Sequence, residues 1–231
     1  MSITKFSLCA AVVLATTAAA SAELVAGWTI TTAFPTGTGQ VPTGVTYGVG
    51  AADQGVQTAG SSLTSVHALA AATYTSPSGN GSQYAFSSNN WSIGDYYEAV
   101  LSTTGYTGMT VSWDQARSST GPASFELVYS IDGGANFIVA LASYTVLQSG
   151  GGGAPGTWSS TTYNALYTSS FDFAGAIDNQ SSVIVRFRSL VAGASTGSNR
   201  IDNVMFNSTI PTPGAVALLG LAGVAARRRR R

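Results

Sequence analysis

The chain has 231 residues, of which only 9% are charged, and its formal net charge at pH 7 is zero. Ordinary globular proteins carry about 25% charged residues, so most of this surface is expected to be uncharged. Cys9 is the only cysteine and His67 the only histidine. This count excludes a disulfide framework, and it excludes a zinc site built from three His or Cys ligands.

The first 22 residues have the layout of a secretory signal peptide. Lys5 supplies a positive charge, Phe6 to Ala20 is largely apolar, and Ala20-Ser21-Ala22 fits the small-x-small rule for cleavage. We therefore predict an N-terminal signal helix over residues 1–22, which is cleaved off so that the mature protein begins at Glu23. An exported protein is implied.

The central region, our name for residues 23–210, is acidic. It contains four arginines and no lysine, because Lys5 belongs to the signal and Arg227–Arg231 to the C-terminal end, and it contains all ten acids. Its formal charge is therefore −6. An acidic surface without a basic patch argues against nucleic acid and anionic lipid as partners.

The central region is predicted to be all-β. Apolar and polar residues alternate in several runs, which is typical of strands with one packed face, and no run has helical periodicity. The predicted strands are Leu24–Thr31, Tyr96–Ser102, Met109–Trp113, Phe125–Ile131, Asn136–Leu147, Val183–Phe187 and Asn199–Asn207. Val66–Thr73 fits a strand or a short helix. The pattern predicts a two-sheet antiparallel β-sandwich, with a jelly-roll-like topology favoured although the pattern does not determine strand order.

A hairpin is predicted at Ser130–Phe137, because Asp132-Gly133-Gly134 is strong turn chemistry between two apolar strands. This run resembles the Asp-box hairpin of sialidases and related propellers, where the motif is structural. The chain has one copy and no blade repeat, so a structural role is predicted here as well. The glycine-rich Gln148–Trp158 is predicted to be a flexible loop.

No residue pattern predicts catalysis. A Ser-His-acid triad would have to use His67, whose apolar neighbours predict a packed residue instead. A glycoside hydrolase needs two carboxyl groups in different protonation states. The closest pair, Asp95 and Glu98, points to opposite faces of an extended chain, and the sequence alone does not pair the alternatives Asp114, Glu126 and Asp202. We therefore expect a protein that is not an enzyme.

Two non-enzymatic functions stay open, a structural or adhesive envelope component and a carbohydrate-binding module. Exposed aromatic rings often bind sugars on sandwiches, and the candidate glycan contacts are Trp91, Tyr96, Tyr97, Tyr106 and Trp158. The alternative is that these rings belong to the core or to an interface. No cofactor is expected. A structural Ca²⁺ held by loop carboxylates is a weaker alternative, with Asp132 and Asp202 as candidates and Asp53, Asp114 and Asp178 also available.

The C-terminal end, residues 211–231, has three parts. Pro211-Thr212-Pro213-Gly214 precedes the uncharged apolar run Ala215–Ala226, and Arg227, Arg228, Arg229, Arg230 and Arg231 end the chain. The prolines end the folded region, the run suits a helix in lipid, and the arginines favour the cytoplasmic side. An apolar helix of this length spans roughly 18 Å of a hydrocarbon core of about 30 Å. We therefore predict a transient membrane anchor.

This tail resembles the PEP-CTERM sorting signal of exported bacterial proteins, although Pro-Thr-Pro stands where that signal has Pro-Glu-Pro. The resemblance implies processing by a membrane exosortase and delivery to the cell surface or its polysaccharide matrix. The alternative is an anchor that is never cut. Val111–Pro122, Leu127–Phe137 and Arg200–Val204 also resemble the body of such surface proteins, which implies a jelly-roll-like sandwich with no assigned activity.

Overall fold

The computed structural model describes residues 22–33 and 40–209, and within them the chain forms strands and two short 3-10 turns but no α-helix. The strands are β1 Glu23–Trp28, β2 Tyr47–Gly50, β3 Ser62–Val66, β4 Tyr74–Thr75, β5 Phe86–Asn89, β6 Tyr96–Leu101, β7 Thr110–Arg117, β8 Ser124–Ser130, β9 Ile138–Thr145, β10 Leu147–Gln148, β11 Thr168–Asp172, β12 Val183–Ser189 and β13 Ser198–Ser208. The 3-10 turns are Gly151–Gly153 and Ala165–Tyr167. The predicted signal helix and apolar tail helix lie outside the described residues. No helix in the described ranges has the length and apolar character needed to cross a membrane.

The strands form two sheets. Sheet 1 has the order β10-β7-β13-β5-β4, with β1 also paired to β13 and β11 to β7, and sheet 2 has the order β2-β3-β6-β12-β8-β9. The series β5-β13-β7-β11 and β6-β12-β8-β9 within them is the strand order of an eight-stranded jelly roll. The predicted all-β sandwich is confirmed. Its pairings are antiparallel except for the short parallel pairing of β10 with β7.

The core lies between the two sheets, where the alternating runs bury their apolar faces. Val111 and Trp113 of β7 and Val185 and Phe187 of β12 are 0% exposed. The rings of Trp113 and Phe187 meet across the sheets with centroids 5.0 Å apart. Ile131, the last residue of the predicted strand Phe125–Ile131, is 42% exposed because β8 ends at Ser130 and the chain turns there.

Two segments differ from the sequence prediction. Val66–Thr73 is neither a helix nor one strand, since β3 ends at Val66 and the chain then runs irregularly to Ala72, which forms an isolated bridge with Val41. The glycine-rich segment Gln148–Trp158 begins within β10 and contains the first 3-10 turn. It is therefore more regular than the predicted flexible loop.

Candidate functional site

Two of the five predicted aromatic glycan contacts belong to the core. Trp91 is 1% exposed and Tyr97 is 0% exposed. The Trp91 indole N–H donates to the Ser88 carbonyl at 2.9 Å, and the Tyr97 hydroxyl donates to the Asn199 carbonyl at 2.8 Å. Because these rings are enclosed and their polar atoms are satisfied inside the protein, their prediction as glycan contacts is wrong.

The other three candidates are partly exposed but do not form one platform. Tyr106 lies in the β6–β7 loop and packs partly against the core. Trp158 lies in the loop before β11, where its indole N–H donates to the Ser78 carbonyl at 2.7 Å. Tyr96 lies on β6, on the face of sheet 2 that points away from the core, because it alternates with the buried Tyr97.

Tyr96 belongs to a stacked group that we call the aromatic–arginine surface, formed by Tyr96, Glu98, Phe137 and Arg186. The Arg186 guanidinium carbon lies 4.0 Å from the Tyr96 ring centroid and 4.0 Å from the Phe137 ring centroid. Its Nε donates to Glu98 Oε2 at 2.6 Å. Glu98 is the cross-strand partner of Arg186, so the β6–β12 register sets this ion pair. The arginine is thereby held between two rings.

The chemistry of this surface suits an uncharged, hydroxylated ligand. Arg186 and Glu98 cancel each other's charge, and the Arg188–Glu126 pair beside them, at 2.7 Å, does the same. Burial raises the pKa of Tyr96, although Arg186 opposes the rise, so its hydroxyl stays protonated at neutral pH. A ring with a protonated hydroxyl can stack on an apolar sugar face and also exchange hydrogen bonds.

The predicted hairpin supports this surface. Ser130 Oγ donates to Asp132 Oδ1 at 2.7 Å, and the Asn136 backbone N–H donates to the same oxygen at 3.0 Å. The hydrogen bond from Asn136, followed by that from Ser130, lowers the pKa of Asp132 to about 2. Asp132 is thus a structural residue, as the Asp-box resemblance implies, and the hairpin carries Phe137 to Arg186.

His67 forms a Ser-His-Asp chain inside the sandwich. His67 Nε2 lies 3.0 Å from Ser88 Oγ, and His67 Nδ1 lies 3.1 Å from Asp95 Oδ2. This is the connectivity of a hydrolase triad. However, all three residues are at most 2% exposed, so no substrate reaches the serine. The Asp95 carboxylate also accepts the Ala68 and Ser92 backbone N–H groups, and the chain serves to tie these segments together.

A second polar cluster lies on sheet 1, on the side opposite the core. Asp114 of β7 and Asp202 of β13 are directly opposite each other, and they are 1% and 0% exposed. Asp202 Oδ2 accepts the Asn80 backbone N–H at 2.8 Å and the Ser82 hydroxyl at 2.5 Å, whereas Asp202 Oδ1 has no partner. Burial, with the Asp114 charge adding to it, raises the pKa of Asp202 to about 7. Burial also raises the pKa of Asp114.

Asn80 joins this cluster to the loop before β11. Its side-chain Nδ2 donates to Asp114 Oδ2 and to the Asn164 carbonyl, each at 3.0 Å. Its Oδ1 accepts the Asn164 backbone N–H at 2.9 Å. Asn203 donates to the Asn80 carbonyl at 3.0 Å and to Asp114 at 2.7 Å. We call Asn80, Asp114, Asp202 and Asn203 the acid–amide anchor, and sequence reasoning missed Asn80 and Asn203 entirely.

The carboxylates predicted for calcium do not fit that ion. Both carboxylate oxygens of Asp132 and both of Asp114 accept hydrogen bonds from the protein. Asp53 accepts the Thr29 hydroxyl, and Asp178 accepts the Gly108 and Met109 backbone N–H groups. Among these five described carboxylates only Asp202 Oδ1 accepts no hydrogen bond, and one oxygen is far from the six to eight that Ca²⁺ takes. No group of three or more His, Cys, Asp or Glu in the described ranges is placed to hold a metal.

The carboxylates also do not form a glycosidase site. Asp95 is enclosed in the core, and Glu98 lies on the opposite face in the pair with Arg186, as predicted from their spacing. Asp114 and Asp202 are together but covered by the loops. Glu126 is bound to Arg188 on sheet 2. These five carboxylates of the described residues therefore do not supply the two accessible groups that a glycosidase needs.

Comparison with known proteins finds no matching family model and no matching curated protein. Solved structures to which this chain is similar include the K1 cleaved adhesin domain of Lys-gingipain from Porphyromonas gingivalis W83, which is 12% identical over 77% of this chain and 98% of that one, with a TM-score of 0.39. TmCBM61, in complex with β-1,4-galactotriose, is 10% identical over 64% of this chain and 88% of that one, with a TM-score of 0.38. The carbohydrate-binding module CBM28, specific for non-crystalline cellulose, is 14% identical over 61% and 81%, with a TM-score of 0.34. At these values the function has to be argued from this chain's own side chains.

Proposed function

We propose that this protein is an exported surface or matrix component with no catalytic role, and that its sandwich adheres to polysaccharide. The observation that carries the proposal is the aromatic–arginine surface. Tyr96, Phe137 and Arg186 form a partly exposed stack on a face of regular sheet, and their ion-paired charges leave that face locally neutral.

The ligand class follows from the surface. A locally neutral face with an aromatic ring favours a neutral glycan, whose hydroxyls bond to Tyr96 and to Glu98 while its C–H face lies on the ring. Arg186 orients the ring and keeps Glu98 fixed, so little ordering is needed when the sugar binds. A preorganised surface of this kind binds without large changes in shape.

Replacing Tyr96 with alanine is expected to weaken binding to neutral polysaccharide about tenfold, or ~1.4 kcal/mol, because the stacking ring and its hydroxyl are both removed. The measurement is affinity electrophoresis of the full chain through gels that contain neutral glucans, galactans or xylans. Tyr163→Ala is the matched control, because Tyr163 is 56% exposed and lies before β11, away from sheet 2. If both variants migrate like the wild type in every gel that retards it, this surface is not the glycan site.

The route to the surface is proposed from the two ends of the sequence, which lie outside the described residues. Ala20-Ser21-Ala22 supplies the export cleavage before Glu23, and Pro211-Thr212-Pro213-Gly214 with the apolar run and arginines supplies the sorting signal. The expected partner is an exosortase-type membrane enzyme, and membrane insertion is transient because the apolar run is short.

Deleting residues 211–231 is expected to release the protein into the periplasm or the medium, because the stop-transfer arginines and apolar run are lost. Mass spectrometry of the intact surface protein should find Glu23 at its start and no Arg227–Arg231 at its end. Replacing the five arginines with serine is the milder variant and should reduce retention and processing. If the surface protein keeps its arginines, the tail is a permanent anchor. If deletion leaves surface attachment unchanged, the tail is not the sorting signal.

A further inference from the structure

Arg200 of β13 is unlike the other three arginines of the central region. Two of those form ion pairs with glutamates on sheet 2, and Arg117 donates to three backbone carbonyls. The Arg200 backbone pairs with β5 and β7, but its guanidinium forms no hydrogen bond or ion pair with residues 22–33 and 40–209, and its Nε is buried without a hydrogen-bond partner. Since a guanidinium has five N–H donors and a permanent charge, leaving it unpaired in a partly buried position costs free energy.

Arg200 lies between two small residues and beside an aromatic ring. Its cross-strand neighbours, Ser87 on β5 and Ala116 on β7, are both small. The Arg200 guanidinium carbon lies 5.8 Å from the centroid of the Trp158 ring, which is partly exposed. Tyr167 packs edge-on against Trp158 at 5.2 Å, which fixes the indole. Burial lowers the pKa of Arg200, but a guanidinium stays charged at neutral pH.

We propose that Arg200 and Trp158 form a binding site for a carboxylate-bearing sugar. The sugar carboxylate would accept hydrogen bonds from the terminal guanidinium nitrogens, because Nε is enclosed, and the sugar ring would lie against the indole. Arginine is the side chain best suited to carboxylates, since its planar fork presents parallel donors. This site lies on sheet 1 and does not depend on the aromatic–arginine surface of sheet 2.

The net charge of the central region restricts the class of acidic sugar that this site can bind. The central region carries a formal charge of −6, which repels a densely charged polyanion at long range. Attraction at Arg200 is local and comes from one unpaired cation. The site therefore takes a uronic acid that is present in a short oligosaccharide, or sparsely in an otherwise neutral chain.

The test is isothermal titration calorimetry of the full chain with trigalacturonate and with its carboxyl-reduced form. The wild type is expected to bind the uronate at least tenfold more tightly than the reduced sugar. Arg200→Gln should abolish this preference, and Arg200→Lys, which keeps the charge but not the fork, should retain only part of it. Trp158→Ala should weaken binding of both sugars. Arg188→Gln makes the same change of charge on sheet 2 and should leave uronate binding unchanged.

Each contrary outcome has a definite meaning. Equal affinity of the wild type for both sugars, or unchanged uronate binding in a folded Arg200→Gln, overturns the proposal. An equal loss in Arg188→Gln would show general charge attraction instead of this site. Binding of galactose 6-sulfate in place of the uronate would overturn the carboxylate assignment. The Tyr96→Ala variant should still bind uronate, so failure of this site and failure of the proposed function are distinguishable.

Discussion

Replacing Asp202 with asparagine is expected to stabilise the protein above pH 7 and to remove much of the fall in its stability between pH 4 and pH 7. Asp202 is 0% exposed, and no arginine lies within ion-pair distance of it in the described residues. Burial is the main cause that raises its pKa to about 7, and Asp114 on the opposite strand adds to it. An asparagine side chain keeps the shape of the group without the buried charge.

The direction of the pH effect follows from proton binding. Below pH 3.8 the carboxyl is protonated in both the folded and the unfolded chain. As the pH rises, the unfolded chain releases the proton first, so the free energy of unfolding falls until the folded carboxyl also ionises near pH 7. The difference between 3.8 and about 7 corresponds to ~4 kcal/mol, at ~1.4 kcal/mol per pH unit.

Urea unfolding of both proteins at intervals between pH 4 and pH 8.5 measures this effect. The difference between variant and wild type should move by about 4 kcal/mol in favour of the asparagine variant across that range. Identical pH profiles would contradict the buried-charge explanation. Repeating the series with millimolar Ca²⁺ is the control, because an ion that stabilised only the wild type would mean that Asp202 Oδ1 binds a cation and not a proton.

The strands that the sequence predicts well are those with one face in the core and one in water. β6 and β12 alternate as predicted, because Tyr97 and Val185 face inward while Glu98 and Arg186 face outward. β5 was missed because its sequence, Phe-Ser-Ser-Asn, buries Ser87 and Ser88 together with Phe86. Where loops cover the outer face of a sheet, burial no longer follows a period of two, and the sequence signal disappears.

The candidate binding residues can likewise be predicted only where they lie on an alternating strand. Tyr96 and Tyr97 are adjacent, and the alternation with Glu98 and Ala99 already indicates that Tyr96 faces outward and Tyr97 inward. Trp91 precedes a strand, so no periodicity reveals its burial. The acid–amide anchor could not be predicted, since Asn80 meets Asp202 across 122 positions of sequence. Arg200 alternates with the buried Ile201, but its lack of a hydrogen-bond or ion-pair partner depends on side chains that only the fold brings near it.

Replacing Asn80 with alanine is expected to destabilise the protein by about 2–4 kcal/mol, because it leaves buried polar groups without partners. Asn80 is 1% exposed, and its side chain satisfies both the N–H and the carbonyl of Asn164 as well as one Asp114 oxygen. An unpaired buried polar group costs about 1–3 kcal/mol, and the loop can relax to rehydrate part of what is exposed. Urea unfolding gives the stability change.

The same substitution should also open the loop before β11. With the bonds to Asn164 gone, that loop is held to Ser78 and Gly81 only by the Trp158 indole and the Ser159 carbonyl. Protease cleavage within Gly150–Gly156 under native conditions should therefore become faster. Gln83→Ala is the matched control, because Gln83 is exposed in the same loop as Asn80 and bonds only to its neighbour Tyr84.

The Asn80→Ala substitution should affect one of the two proposed binding sites and not the other. Since this loop carries Trp158 to Arg200, Asn80→Ala should weaken binding of trigalacturonate while leaving retention by neutral polysaccharide at Tyr96 unchanged. Asn80→Asp should be worse than alanine in stability, because it sets a third carboxylate beside Asp114 and Asp202. The alanine variant could instead match the wild type in its urea unfolding, its protease cleavage and its uronate binding. In that case the two remaining loop contacts are sufficient, and Asn80 is not what holds the loop.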